Sequence, residues 1–120
     1  MRGKSQTKMS AEFGEIINEI RIRLPSYSVN ESAARAMVGA FCAQLDPAAS
    51  ELADIKCAVS EAVTNCIVHA YRDTVGIIYI TVRLYEKRLV SVEIRDKGRG
   101  KRGYTIKFLQ NNINPSSHKF

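Results

Sequence analysis

The chain has 120 residues, 45% of them apolar and 25% charged, with 18 Lys and Arg against 12 Asp and Glu. This composition excludes wholesale disorder, and the length suits one domain. No apolar run approaches the roughly 18 residues that a membrane-spanning helix needs, so no membrane role is expected. Residues 1–96 balance twelve basic against twelve acidic side chains, whereas Lys97, Arg99, Lys101, Arg102, Lys107 and Lys119 stand without an acid. A nucleic-acid domain clusters its basic residues on a face of the fold, so direct nucleic-acid binding is not expected either. Met1 to Ser10 is basic and polar with no apolar segment after it, unlike a signal peptide. Cys42, Cys57 and Cys66 form no CxxC pair and are odd in number. They read as small apolar residues in a reducing, cytoplasmic setting.

Residues 1–11 are polar and read as a flexible leader, and residues 12–18 are ambiguous between helix and strand. From Glu19 the pattern alternates, with Ile20, Ile22 and Leu24 opposite Glu19, Arg21 and Arg23. This is a half-buried strand ended by Pro25. Ser28 and Glu31 have the spacing of a capping box, which predicts a helix over residues 29–44. Its apolar stripe is Ala34, Met37, Val38, Phe41 and Leu45, and Asp46-Pro47 ends it. A second helix is predicted over residues 50–69, with Leu52, Ile55, Val59, Ala62, Val63, Cys66 and Ile67 as its apolar stripe. Glu61, Asn65 and His69 are each four apart and project on neighbouring parts of one surface.

The period then changes to two. Residues 76–85 (GIIYITVRLY) and 89–95 (LVSVEIR) both alternate across the polar turn 86–88, which predicts an antiparallel hairpin. The order strand, helix, helix, strand, strand predicts an α+β fold, a two-layer sandwich of helices on a mostly antiparallel sheet. After Asp96 the segment DKGRGKRG is too rich in glycine for a strand. Residues 104–110 read as a short mixed segment and residues 111–120 as patternless, so 101–120 is expected to be a basic polar tail. No internal repeat is present.

Two motifs carry chemistry: SEAVTNCIVHAY at residues 60–71, on a helix, and DKGRG at residues 96–100, directly after a strand. A carboxylate and a carboxamide four residues apart point the same way. The Asn carbonyl oxygen suits Mg²⁺, which keeps several waters and is held largely by phosphates. The Glu can act as a general base about 6 Å further along the helix. An Asp followed by Gly-x-Gly puts an acceptor beside backbone that can approach a planar ligand closely. Each motif alone also fits a solvated helix face or an ordinary turn.

Together, in this order and around a hairpin, the motifs resemble the GHKL superfamily of ATPases and kinases. Within it, residues 24–100 are similar to the anti-sigma serine kinases of sporulating bacteria. The cues are NESAAR, AQLDP, SEAVTN-x-I-x-HAY and DxGxG. The resemblance implies a GHKL-type ATP-binding domain over residues 12–100 and an anti-sigma factor that inhibits a sporulation sigma factor. It also implies ATP-dependent phosphorylation of a serine on an anti-anti-sigma protein. Glu61 would then be the catalytic base. Asn65 would hold Mg²⁺ through the phosphates, and Asp96 would accept from the adenine amino group. Gly98 and Gly100 would let the loop pack on the base, while Glu31 and Arg35 would contact both protein partners. Transfer of this kind rests chiefly on positioning and charge neutralisation. A homodimer is expected on the same ground, and His69 is expected to be structural.

The resemblance also implies parts that this chain lacks. Only 20 residues follow Gly100, too few for the family's ATP lid, second glycine motif, further helix and last strand. Residues 102–106 (RGYTI) resemble the start of that second glycine helix, as if the lid were deleted. The expectation is therefore an incomplete domain without lid or last strand. The alternatives are a catalytically inactive sigma-binding module and a degenerate fragment.

Overall fold

A computed structural model describes residues 4–96 and 103–110, with side chains from Met9 onward. The elements are α1 (Lys4–Phe13), β1 (Ile16–Pro25), α2 (Asn30–Cys42), α3 (Ala49–Asn65), β2 (Ile77–Tyr85), β3 (Leu89–Asp96) and β4 (Gly103–Leu109). A short 3₁₀ turn (Ala43–Leu45) follows α2, and a π-turn (Cys66–Ala70) extends α3. The four strands form one sheet in the order β1-β2-β3-β4, each pair antiparallel. The α+β architecture with helices on an antiparallel sheet is as the periodicity predicts.

Period-two alternation decides what the sheet buries. Ile78, Ile80, Val82 and Leu84 of β2 are fully buried, and so are Val90, Val92 and Ile94 of β3. They meet Ala34, Val38 and Cys42 of α2 and Ile55, Val59, Ala62 and Val63 of α3 in one core. The register places Ile22 against Ile80 and Ile80 against Ile94, so one face of three strands forms a continuous apolar floor. Each fully buried aliphatic side chain contributes about 1.5–3 kcal/mol.

The structure departs from the sequence expectations at both ends. Residues 4–13, expected to be part of a flexible leader, form α1. Its residues are mostly polar, but Met9 is buried with Tyr85 and Leu89, and Phe13 and Ile16 pack against them. Tyr85 and Leu89 alternate with the core-facing Leu84 and Val90, so α1 covers the opposite face of the sheet at one end. Gly14, at φ +85°, allows the reversal into β1 that an L side chain would resist. There the Phe13 carbonyl accepts from the Lys87 amide at 2.9 Å.

At the other end, β4 occupies part of the segment expected to be a polar tail or the start of a helix. Tyr104, Ile106 and Phe108 alternate with Thr105, Lys107 and Leu109, and the first set packs on the core. Pairing with β3 runs from Arg95–Gly103 to Leu89–Leu109. A fourth strand therefore covers an edge of the sheet that the sequence left bare. Gln110 fixes its end: its side-chain amide donates to the Leu45 and Asp46 carbonyls at 3.1 and 3.3 Å. Its Oε1 accepts from Arg88 at 2.9 Å. Residues 111–120, the rest of the expected tail, lie outside the described residues.

The capping box expected at Ser28 and Glu31 is not formed. Val29 precedes α2 in helical conformation without a side-chain cap, and the Glu31 amide reaches the Ser28 backbone carbonyl at 3.2 Å. The Glu31 carboxylate is engaged by Arg35 instead. A carboxylate does cap α3, where Glu51 accepts from the Ala48 amide at 2.9 Å.

Candidate functional site

Helix α3 and strand β4 build a groove. Ala58, Glu61, Ala62 and Asn65 of α3 form one wall, and residues 103–106 of β4 form the other, around an open volume of about 440 Å³. That is within the range of small-ligand sites, about 300–1,000 Å³. Glu61 is exposed, and Asn65, the last residue of α3, is half-buried. The common orientation that the helical repeat predicts for Glu61 and Asn65 is thus realised on one groove wall.

His69 does not follow them. After Asn65 the backbone widens into the π-turn, where the Tyr71 amide reaches the Cys66 carbonyl at 3.2 Å, a five-residue bond. That extra residue per turn shifts the phase, so His69 leaves the line through 61 and 65 and is exposed, outside the groove lining. Single π-turns of this kind occur often at functional sites. No periodicity in the sequence signals one. The helix ends against the sheet through Tyr71, whose hydroxyl donates to the Ile77 carbonyl at 2.9 Å. The Tyr71 ring sits where a Cβ at Gly76 would clash at 2.0 Å.

Asp96 ends β3 opposite Ile78 and is half-buried. Its carboxylate reaches the same helix electrostatically. Burial pushes the Cys66 thiol up to about 11, and the Asp96 charge adds to that rise. Cys66 adjoins Asn65, so Asp96 lies by the end of α3 that holds the carboxamide. Gly98 and Gly100 lie outside the described residues.

Glu31 and Arg35 form a separate feature on α2. Arg35 Nη1 donates to Glu31 Oε2 at 2.9 Å, one helical turn away, and to Ser60 Oγ at 3.2 Å. Both side chains are partly exposed. Ser60 was not singled out in the sequence, although it precedes Glu61. Its position facing α2 follows from the 100° step between successive helix residues. The other residues that sequence reasoning missed are those of β4, whose signal was the alternation of Tyr104, Ile106 and Phe108.

Among the described residues, no group of three or more His, Cys, Asp or Glu could hold a metal ion. A dedicated all-protein cage is thus lacking there. One neutral oxygen donor in an open groove is the protein contribution expected for Mg²⁺ bound mostly by phosphates and water. The residues present fit Mg-nucleotide in that sense.

The family model described as the histidine kinase-like ATPase domain matches residues 24–116. The chain belongs to that family. It is 50% identical over 86 residues to the anti-sigma F factor of Caldanaerobacter subterraneus, an alignment covering 72% of this chain and 59% of that protein. The anti-sigma F factor of Thermoanaerobacter pseudethanolicus is 49% identical over the same shares. That of Bacillus cereus is 51% identical over 84 residues, 69% of this chain and 57% of its own. The chain therefore spans less than two-thirds of the length of these relatives. As a member of an ATPase-domain family, it carries Glu61, Asn65 and Asp96 around one end of α3.

Proposed function

We propose that this chain is an anti-sigma factor that binds Mg-ATP in the α3–β4 groove. In this reading it holds a sporulation sigma factor on the α2 surface around Glu31 and Arg35. It transfers the ATP γ-phosphoryl group to a serine of an anti-anti-sigma protein, acting in the cytoplasm as a homodimer. The observation that supports it most is the shared groove wall of Glu61 and Asn65, with the Asp96 charge felt at Cys66. The relatives named anti-sigma F factor support the sigma partner.

The roles follow from the side chains. Glu61, exposed at the groove wall, takes the proton from the attacking serine hydroxyl as general base. Asn65 supplies a neutral oxygen to Mg²⁺. Asp96 accepts from an exocyclic amine, which selects adenine over a base carrying a carbonyl there, and Gly98 and Gly100 would leave room for the backbone to pack on the base. Bound Mg²⁺ neutralises phosphate charge, the main electrostatic demand of phosphoryl transfer.

Calorimetric titration of Mg-ATP into the purified chain tests this first. Binding that both Asn65→Ala and Asp96→Asn weaken supports the assignment. Binding unaffected by either substitution removes it.

A second reading is a sigma-holding module without turnover. It is favoured by the described residues lining the groove, which include no Lys or Arg. Sigma-factor retention on an immobilised chain, lost in Arg35→Glu, together with no phosphotransfer in solution, would select it.

A further inference from the structure

The proposed nucleotide site has an aromatic wall that neither motif supplies. Tyr104 lies on β4, pairs with Ile94 in the sheet register, and lines the groove opposite Glu61 and Asn65. It is half-buried and packs on the core beside Ile106. Residues 94 and 96 share a sheet face because strand side chains alternate. Tyr104, directly across from Ile94, is therefore a diagonal neighbour of Asp96 on the face that meets α3. Diagonal neighbours of this kind stand about 7–8 Å apart. That spacing matches a planar ring whose edge is held by a carboxylate and whose face lies on an aromatic side chain.

We infer that Tyr104 is the stacking surface for the nucleobase. The inference rests on the nucleotide reading of the groove and adds to it a residue that sets base preference. Three features carry it. Packing on the core limits the freedom of the Tyr104 side chain, so little side-chain entropy remains to be lost on binding. Among the described residues, the groove lining includes no other aromatic ring. The strand places Tyr104 on the groove wall facing Glu61 and Asn65, so a base against it and a triphosphate running toward Asn65 occupy one continuous volume.

Stacking of a base on an aromatic side chain is sequence-tolerant, because every base has a π-face. A purine covers more of the ring than a pyrimidine. Tyr104 therefore favours purines as a class, and Asp96 selects among them by the exocyclic amine. The phenol hydroxyl is not required, so phenylalanine should serve as well.

The test combines calorimetry with proton NMR of Mg-ATP, using the full chain, Tyr104→Phe and Tyr104→Leu. Leucine keeps the apolar packing of β4, and a thermal melt checks that each variant folds. The parent chain and Tyr104→Phe are expected to bind alike and to shift the adenine H2 and H8 resonances upfield by ring current. Tyr104→Leu is expected to bind about tenfold more weakly or worse and to lose the upfield shift. A Tyr104→Leu chain that folds, binds as the parent does and keeps the shift overturns the stacking role while leaving the nucleotide reading intact. A folded parent chain that binds no Mg-ATP overturns both.

Discussion

Gln110→Met removes one side-chain amide while keeping its length, and it tests whether β4 is built into the sheet. Gln110 is 7% exposed. Its Nε2 donates to the Leu45 and Asp46 carbonyls, its Oε1 accepts from Arg88, and Arg88 Nη1 also donates to the Leu45 carbonyl at 3.1 Å. The substitution leaves a guanidinium short of an acceptor and the Asp46 carbonyl short of a donor. The bond to a charged donor is worth about 1.5–3 kcal/mol and each neutral bond about 0.5–1.5. Arg88 and the Leu45 carbonyl stay bonded to each other, and methionine buries apolar surface where the amide was, so the net cost falls to about 2 kcal/mol. At about 2.1 cal/mol/K per residue, unfolding of this chain carries an entropy near 0.25 kcal/mol/K. A cost of that size lowers Tm by about 8 °C. Circular dichroism melts and urea titrations with matched m-values read it directly. A shift under about 2 °C would mean that Gln110 is not held between the α2–α3 connection and the β2–β3 turn, and that β4 does not belong to the folded body.

Three further outcomes are expected. Val59 is fully buried between α3 and the sheet, and Val59→Ala should destabilise the chain by about 2 kcal/mol in urea titration. Glu61→Gln should lower serine phosphotransfer by about 10²–10⁴-fold and leave Mg-ATP affinity within about threefold, measured by radiolabel transfer and calorimetry. Burial pushes the Cys42 thiol up to about 12, and the Cys66 thiol, pushed up by burial and the Asp96 charge, stands at about 11 against an ordinary 9.0. Both favour the protonated form in the folded chain. Their contribution is fully present below pH 9 and is lost as the pH rises toward 11–12, because the unfolded thiols release protons first. Stability measured across pH 8–11 should fall over that window. At neutral pH a thiol reagent should label exposed Cys57 long before the other two.

The parts of the fold legible in the sequence were those where a repeat carries burial. The alternation in residues 76–85 and 89–95 became β2 and β3, and the stripes Ala34–Val38 and Ile55–Val59–Ala62 became the core faces of α2 and α3. The common orientation of Glu61 and Asn65 was legible for the same reason. What escaped depended on distant contacts. Helix α1 has few apolar residues, and it is held by Met9 and Phe13 against Tyr85 and Leu89, which are more than seventy residues away. Strand β4 carried a readable alternation, but the glycine-rich run before it and the polar residues after it obscured that signal. A β3 edge in need of a partner decided its state. Ser28 offered capping chemistry that the backbone conformation at Val29 did not use, and the π-turn has no sequence period at all.

The sheet is a meander in which every pair is formed by strands consecutive in the chain, yet the pairs are far from equal in how they are reached. β2 and β3 close across residues 86–88, whereas β1 and β2 are joined through residues 26–76, which hold both core helices. Bringing the ends of the longer segment together costs about 2.5 kcal/mol more in chain entropy. The β2–β3 hairpin is thus the cheapest long-lived contact for the chain to make. β1 must close the longer segment, with α2 and α3 inside it, before it can pair with β2. During synthesis β1 therefore waits for a partner that lies beyond residues 26–76, so the first strand made is not the first that can pair.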